Sequence, residues 1–339
     1  MLKPTDFAFH LTNYLSKYLP GEAGSSNNTI LAYRDTFKLL LRFAKDSEGL
    51  KEEKLTLKLI NKPFILRFLE WIEKKRRCSV ATRNQRLSAI HAFFTYVQSK
   101  APEYIFQCQE ILSIQMKKYH QEPMTFLSNE GIKALLAEPD IRTKSGRKHL
   151  IMLSFIFATG CRVQEISDIV VADVMYNGNT VAKLTGKGGK SRFVPLDELF
   201  VNLLRQYIEE FELSAPNRSG DFLFKNHLGQ QFTRQGVTYI LKKYAAQARK
   251  KQPEHIPAKL SPHGLRHSRA VDLLRSGIEL IYIRDLLGHV SVQTTEIYAR
   301  VDGEMKRKAL EKASGNAVNE QMPAWQSDKA LLEWLTNLT

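Results

Sequence analysis

Cysteine is scarce in this chain of 339 residues, which contains only Cys78, Cys108 and Cys161 and no CxxC motif. An odd number of widely separated cysteines excludes a disulfide-rich scaffold and favours a reducing compartment. Long apolar runs are also lacking, since the longest, residues 150–161, is too short to cross a bilayer. The first ten residues do not show the charged-then-apolar pattern of a secretory signal. We therefore expect a cytoplasmic protein without a membrane partner.

Acidic residues are also few in comparison with basic ones. The chain has 50 Lys and Arg against 35 Asp and Glu, a formal net charge of +15 and a pI near 9.6. The excess is concentrated in residues 1–118, which carry 20 basic and 11 acidic residues. Such a charge can serve solubility alone, but unpaired cations also gain free energy by releasing counterions from a phosphate backbone. The composition therefore favours a nucleic-acid partner.

The length predicts two domains. Residues 1–118 are predicted to be all-helical, because glycine is absent between Gly49 and Gly131 and apolar residues recur at helical spacing. The clearest helical segments are ILAYRDTFKLLLRFA, FILRFLEWIEKK and VATRNQRLSAIHAFFTYV. A polar linker is predicted at residues 119–126, and a mixed domain at 127–313, where VAKLTGKGGKSRFVPL is typical of a β-hairpin. Residues 314–339 form a predicted tail that contains an amphipathic helix.

Two segments of the second domain place cations where an anion could bind. In FATGCRVQEI, Arg162 follows a Thr-Gly turn at the start of a helix, where anions are favoured. Arg162 could equally be a surface residue or a partner of Glu165. In the turn GKGGK, three glycines let the backbone approach a ligand and Lys187 offers a mobile proton, although a merely flexible turn has the same composition. The GxxxxGK[ST] spacing of a nucleotide-binding loop is missing.

A third segment carries the most specific pattern. In LSPHGLRH, residues His263, Arg266 and His267 have spacings of three and four, so they share one face near the N-terminus of a helix. His289 follows a Leu-Gly turn, and Tyr298 lies nine residues later. A single histidine in a helix is usually a core residue, but these histidines gather beside helix starts. The pattern indicates a functional cluster.

These segments resemble the motifs of the tyrosine recombinase (lambda-integrase-like) family, over almost the whole chain. The family has an Arg in ATGxRxxE, a Lys in a β-hairpin, HxLRH and LGHxxxxxTxxYxx, in this order. The corresponding segments here are ATGCRVQE, TGKGGKSRFVPL, HGLRH and LGHVSVQTTEIYARV. TILAYRDTFKLLLRFA and TRNQRLSAIHAFFTYV are similar to helices of the family's core-binding domain. The resemblance implies a mainly α fold with a small antiparallel sheet in the catalytic domain, in which the two domains form a C-shaped clamp.

The resemblance implies a site-specific recombinase that cleaves and rejoins DNA through a 3′-phosphotyrosine intermediate and a Holliday junction, without metal or cofactor. Two guanidiniums can offset the charge that builds on the non-bridging phosphate oxygens. The six implied catalytic residues are Arg162, Lys187, His263, Arg266, His289 and Tyr298.

Each of the remaining catalytic residues has an implied role. Tyr298 is the nucleophile. Because the ordinary pKa of a tyrosine side chain is ~10, it needs cations or a base nearby to react at neutral pH. Lys187 protonates the leaving 5′ oxygen, while His263 accepts the tyrosine proton. His289 donates a hydrogen bond to the scissile phosphate, and Glu165 supports the first arginine.

Ten further residues are expected to contact DNA. The run KKRR at 74–77 lies between two predicted helices, where it can meet a phosphate backbone or be only a solvated face. FTRQGVTYILKKYA resembles the helix that enters the major groove, which implies that Arg234 and Gln235 contact bases. The set is Lys74, Lys75, Arg76, Arg77, Arg83, Arg86, Lys190, Arg192, Arg234 and Gln235.

The segments HSRA and TTEIYARV look more like integrases of transposons than like Xer proteins, although Arg269 stands where the family often has a small apolar residue. We therefore expect integration and excision of a bacterial mobile element, with resolution of chromosome or plasmid dimers as the alternative. The implied partners are double-stranded DNA with inverted-repeat-like core sites, three further copies of the chain on DNA, and sister recombinases or DNA-bending proteins. The tail helix would dock on a neighbouring subunit or fold back on its own domain.

Two other classes of function compete with a recombinase. His263 and His267 have the i, i+4 spacing of a metal pair, and His289 could be a third ligand of a metal-dependent nuclease. Against this, no carboxylate accompanies them, and Arg266 would repel a cation. A non-catalytic DNA-binding regulator would be expected to have lost a member of the six-residue set.

Overall fold

The computed structural model describes residues 4–119, 124–176, 179–289 and 291–301, except for the side chains of residues 187 and 299–301. The chain divides into two compact units, Met1–Glu122 and Pro123–Thr339. The predicted tail at 314–339 lies outside the described residues. Within the described ranges, no helix combines the length and the apolar content needed to cross a membrane.

The first unit consists of helices. They are α1 (Asp6–Asn13), which continues as a π-helix (Tyr14–Glu22), α2 (Asn27–Glu48), α3 (Lys62–Lys74), α4 (Val80–Lys100) and α5 (Ile105–Leu112). Side-chain caps begin the longer helices: Ser26, Asn61 and Ser79 each accept a hydrogen bond from a backbone N–H three residues later. Apolar stripes on these helices bury a core rich in aromatic residues, in which Phe37 and Phe93 pack edge to face.

The second unit is mixed. Its helices are α6 (Asn129–Leu136), α7 (Lys144–Thr159), α8 (Val163–Asp168), α9 (Glu198–Glu210), α10 (Arg234–Lys251), α11 (Pro262–Arg275), α12 (Leu280–Leu287) and α13 (Gln293–Val301). Its strands, β1 (Val174–Met175), β2 (Val181–Thr185) and β3 (Ser191–Pro195), form an antiparallel sheet in the order β1-β2-β3. Strands β2 and β3 are the predicted hairpin, with Thr185 opposite Ser191 beside the turn. The expected mainly α fold with a small antiparallel sheet is confirmed.

A sharp turn after α7 brings three elements together. Gly160 ends this helix in the left-handed region, at φ +58°, so the chain can reverse and start α8 after Arg162. A Cβ on Gly160 would lie 2.6 Å from Leu287 Cδ2 at the end of α12. The missing side chain therefore lets the end of α12 approach the backbone between α7 and α8.

Candidate active site

One carboxylate organises the basic residues around the start of α8. Glu165, whose side chain is only 2% exposed, accepts hydrogen bonds from the backbone N–H of Arg162 at 2.8 Å and from its Nη1 at 2.9 Å. Arg192, on β3, donates to both oxygens of Glu165 at 2.9 and 2.8 Å. Burial alone would raise the pKa of Glu165, but the hydrogen bonds from Arg192 and Arg162 overcome it and lower the pKa to about 2. Glu165 is therefore ionised and holds two guanidiniums in place.

Arg266 is held differently, on carbonyl oxygens. From α11 it donates to Gly160 O at 2.7 Å and to Leu287 O at 2.6 Å, and it is only 1% exposed. Its Nε has no hydrogen-bond partner in the described part of the chain. Burial, together with repulsion from Arg162 and Arg192, lowers its pKa to about 10. Arg266 thus stays protonated at neutral pH. Within the described residues its guanidinium donates to carbonyl oxygens, and Glu165 acts on its charge only without a hydrogen bond.

The turn that carries Lys187 lies against the same cluster. A Cβ on Gly186 would lie 3.1 Å from Glu165 Oε1 and 3.6 Å from Arg162 Nη1. The backbone of the β2–β3 turn thus approaches the carboxylate and the first guanidinium. The Lys187 side chain itself lies outside the described part of the structure.

The hydroxyl of Tyr298 is buried beside a group of histidines. The residue is 1% exposed, and its Oη lies 3.0 Å from Nδ1 of His267, within hydrogen-bond distance. The ring of His263 packs edge-on against His267, with 4.0 Å between centroids. The ring of His289 stacks on Tyr298 at 6.1 Å, and its Nδ1 is hydrogen-bonded to Thr295 Oγ1 at 3.0 Å.

These histidines are neutral at physiological pH. Burial, followed by the nearby His263, lowers the pKa of His267 to about 3, and burial and Arg266 lower that of His289 to about 4. The pKa of His263 is lowered for the same reasons. Burial raises the pKa of Tyr298 above its ordinary value of 10.0, although Arg266 acts in the opposite direction. The tyrosine is therefore a neutral phenol here, with a neutral imidazole as its hydrogen-bond partner.

Five of the six predicted catalytic residues lie in this cluster. Arg162 also donates to Gly288 O at 3.0 Å, which places the first guanidinium next to His289. The described contacts connect Arg162, His263, Arg266, His289 and Tyr298. The predicted support of Arg162 by Glu165 is present.

His267 was not in the predicted catalytic set. Its spacing of four from His263 was noted, but the proton of Tyr298 was assigned to His263. In the described structure the histidine within hydrogen-bond distance of the Tyr298 hydroxyl is His267. The i, i+4 spacing shows that both histidines share a face, but not which of them reaches α13.

Three of the predicted DNA contacts are engaged inside the protein. Arg192 is 12% exposed and is bound to Glu165 and to Leu286 O. Arg83 is 4% exposed and donates to Gln115 O at 3.2 Å, while Arg86 donates to Ala32 O and Thr36 Oγ1. These contacts use the guanidinium donors within each unit, so the structure gives no support to phosphate contacts by these three residues. Sequence cannot separate a structural arginine from an exposed one.

The remaining predicted DNA contacts are exposed: Lys74, Lys75, Arg76, Arg77, Lys190, Arg234 and Gln235. Lys74 pairs with Glu70 at 2.6 Å on the surface of the first unit. Arg234 Nε donates to Gln164 Oε1 at 2.6 Å at the start of α10.

A basic cavity was not predicted. It has a volume of about 940 Å³ and lies beside His263 and His267. Its cationic lining residues are Lys242, Arg249, Lys250 and Lys259. The basic residues at the end of α10, in LKKYAAQARKK, could have predicted this cavity. The resemblance to a major-groove helix was applied only to the start of α10.

A metal centre has no ligand set in the described ranges. No three His, Cys, Asp or Glu side chains there are grouped so that they could hold an ion. His263, His267 and His289 therefore do not form the ligand set that a metal-dependent nuclease required.

Two family models match the sequence. Residues 125–305 match the Phage integrase family, and residues 12–100 match the Phage integrase, N-terminal SAM-like domain. Among curated proteins, "Putative integrase/recombinase y4rC" of Sinorhizobium fredii is 33% identical over 339 residues, and the match covers 100% of both chains. Tyrosine recombinase XerD of Listeria monocytogenes is 29% identical, over 84% of this chain and 91% of the relative.

Solved structures share the fold. The Tn1549 transposon integrase in complex with circular intermediate DNA has a TM-score of 0.68 at 17% identity, covering 91% of this chain and 100% of the other. XerH site-specific recombinase bound to its difH substrate has a TM-score of 0.65 at 22% identity, covering 88% and 84%.

The fold, the paired arginines beside a buried tyrosine and these matches define a tyrosine recombinase, an enzyme that cleaves and rejoins DNA strands. The chain belongs to the phage integrase family. The recombinase hypothesis is confirmed, and the two family models match separate stretches of the chain.

Proposed function

We propose that this enzyme cleaves DNA at specific sites through a 3′-phosphotyrosine intermediate and serves the integration and excision of a bacterial mobile element. The observation that carries the chemistry is Arg266, a buried cation whose hydrogen-bond partners in the described part of the chain are carbonyl oxygens. Burying a charge that is not directly paired costs several kcal/mol. A phosphate oxygen bound by Arg266 and the neighbouring Arg162 would place a negative charge directly against this guanidinium.

In this proposal Tyr298 is the nucleophile. Its oxygen forms a bond to phosphorus, and the bond from phosphorus to the 5′ oxygen breaks. The phosphotyrosine bond thus retains the energy of the broken phosphodiester bond for the rejoining step. Lys187 protonates the departing 5′ oxygen. The approach of the Gly186 backbone to Glu165 and Arg162 supports this role, because it brings the turn to the phosphate-binding side chains.

DNA binding in this proposal uses exposed cations on both units. The basic cavity beside His263 is lined by Lys242, Arg249 and Lys250 of α10, and in this proposal these cations contact the phosphates of the bound duplex. Arg234 and Gln235 at the other end of α10 would contact bases, while residues 74–77 and Lys190 would contact phosphates. Affinity then falls steeply with salt, because each neutralised phosphate releases counterions.

The choice of a mobile element is supported by the name of y4rC, an integrase/recombinase that matches over its full length, and by the transposon integrase among the structural neighbours. The alternative is resolution of chromosome or plasmid dimers, which the similarity to XerD favours. In either case we propose action in the cytoplasm, on the nucleoid, by four copies on two inverted-repeat-like core sites. Sister recombinases or DNA-bending proteins complete the assembly.

The test is a competition between two DNA substrates. The enzyme would be incubated with equal amounts of labelled duplexes, one from the ends of the element that encodes it and one from the host's dimer-resolution site, each nicked near the cleavage point. Covalent protein–DNA adducts would be counted on denaturing gels, with a duplex of scrambled sequence as the control. Adducts mainly on element ends support the proposal, and adducts mainly on the resolution site support the alternative. Equal adducts on all three duplexes would contradict site specificity.

A further inference from the structure

We propose that His267, rather than His263, accepts the phenolic proton when Tyr298 attacks the scissile phosphate. This inference rests on the proposed function, since it names the proton acceptor of the same reaction. Its basis is the contact between α11 and α13, where Nδ1 of His267 lies 3.0 Å from the hydroxyl of Tyr298. A general base must lie within hydrogen-bond reach of the proton it removes, and His267 meets this requirement.

His263 is placed for a different task. It is exposed at the cavity rather than hydrogen-bonded to the tyrosine, and its ring packs against His267 from the side. A group in this position can meet DNA that enters the cavity. His267 lies between His263 and Tyr298, in contact with both rings.

The protonation state of His267 suits an acceptor. Burial, with smaller contributions from His263, Arg266 and His289, keeps the imidazole neutral, with a lone pair available at Nδ1 when the proton is on Nε2. The ionisable groups around it, by element, are His263 and Arg266 on α11, Tyr298 on α13, His289 after α12, Lys242, Arg249 and Lys250 on α10, and Lys259 before α11. When a phosphate enters, its negative charge stabilises the imidazolium and makes proton transfer to His267 more favourable.

Cleavage moves one proton to His267 and one from Lys187. The phenolic O–H electron pair forms the new bond to phosphorus, and the proton moves to Nδ1 of His267. The bond between phosphorus and the 5′ oxygen breaks, and this oxygen takes a proton from Lys187. In the rejoining step the 5′ hydroxyl gives its proton back to Lys187 and attacks phosphorus. The bond between phosphorus and the Tyr298 oxygen breaks, and His267 returns its proton to that oxygen.

The test is single-turnover cleavage of a nicked duplex by His267→Ala, His267→Asn and His263→Ala. Asparagine can keep a hydrogen bond at the position of Nδ1 but cannot take up a proton, so it separates proton transfer from positioning. We expect both His267 variants to form the adduct about 100-fold more slowly than wild type. The loss should shrink with rising pH, because hydroxide then removes the phenolic proton. His263→Ala should not change the pH dependence in this way.

A second substrate separates the acceptor from the donor. A duplex with sulfur in place of the bridging 5′ oxygen has a leaving group that needs no proton. It should restore cleavage by Lys187→Ala and leave the His267 variants slow. Wild-type rates with His267→Asn, or rescue of His267→Ala by the sulfur substrate, would overturn the inference while the proposed function stands. A wild-type enzyme that forms no adduct on any specific duplex would overturn both.

Discussion

Replacing Glu165 by glutamine tests the electrostatic arrangement of the site. The change keeps the shape of the side chain but removes the negative charge that Arg162 and Arg192 share. The pKa of Glu165 is about 2 in the folded protein against an ordinary 4.5, which corresponds to about 3 kcal/mol in the free energy of unfolding. Since the folded pKa is the lower one, this contribution is complete above about pH 5 and is lost as the pH falls towards 2.

We therefore expect Glu165→Gln to lower the free energy of unfolding by about 3 kcal/mol at pH 7 and by much less at pH 3. Urea denaturation followed by far-UV circular dichroism at pH 7, 5 and 3 measures the difference between wild type and variant. Glu210→Gln is the matched control, because Glu210 also forms a two-pronged pair, with Arg147, but a partly exposed one. It should cost about 1 kcal/mol or less. A difference for Glu165→Gln that does not change between pH 7 and pH 3 would contradict a stabilising role for the Glu165 charge.

Three further outcomes are expected. Gly160→Ala should lower thermal stability and slow adduct formation, because a Cβ at φ +58° would lie 2.6 Å from Leu287 Cδ2 and displace the carbonyl that holds Arg266. Arg83→Gln should lower stability without changing the salt dependence of DNA affinity, and a shallower slope would contradict its internal role. Lys250→Gln should reduce that slope by about 1, as titration of affinity against salt will show.

The sequence predicted the fold and most of the site because both depend on local patterns. Helical periodicity and N-caps such as Ser79 and Ser261 place α4 and α11, and the Gly-rich turn places the β2–β3 hairpin. The order of the motifs then identified five side chains that the described structure brings together. Each of these signals lies within a segment of about 20 residues.

The remaining assignments depend on contacts between distant segments. Arg192 appears in a basic hairpin that looks suited to DNA, yet Glu165, 27 residues earlier, neutralises it. Tyr298 lies 31 residues from His267, and no spacing rule decides which of two histidines on one helix face it reaches. The roles of Arg83 and Arg86 also depend on distant segments. Only the packing of α4 shows that their guanidiniums donate to backbone carbonyls.

In the proposed reaction Tyr298 becomes covalently joined to DNA at a phosphate bound by Arg162 and Arg266. The direct measurement is mass spectrometry of peptides from the adduct formed on a nicked specific duplex in the presence of EDTA. We expect a nucleotide attached to the peptide that contains Tyr298, and no adduct with Tyr298→Phe despite unchanged DNA affinity. A nucleotide attached to another residue, or an adduct formed by Tyr298→Phe, would contradict the proposed reaction.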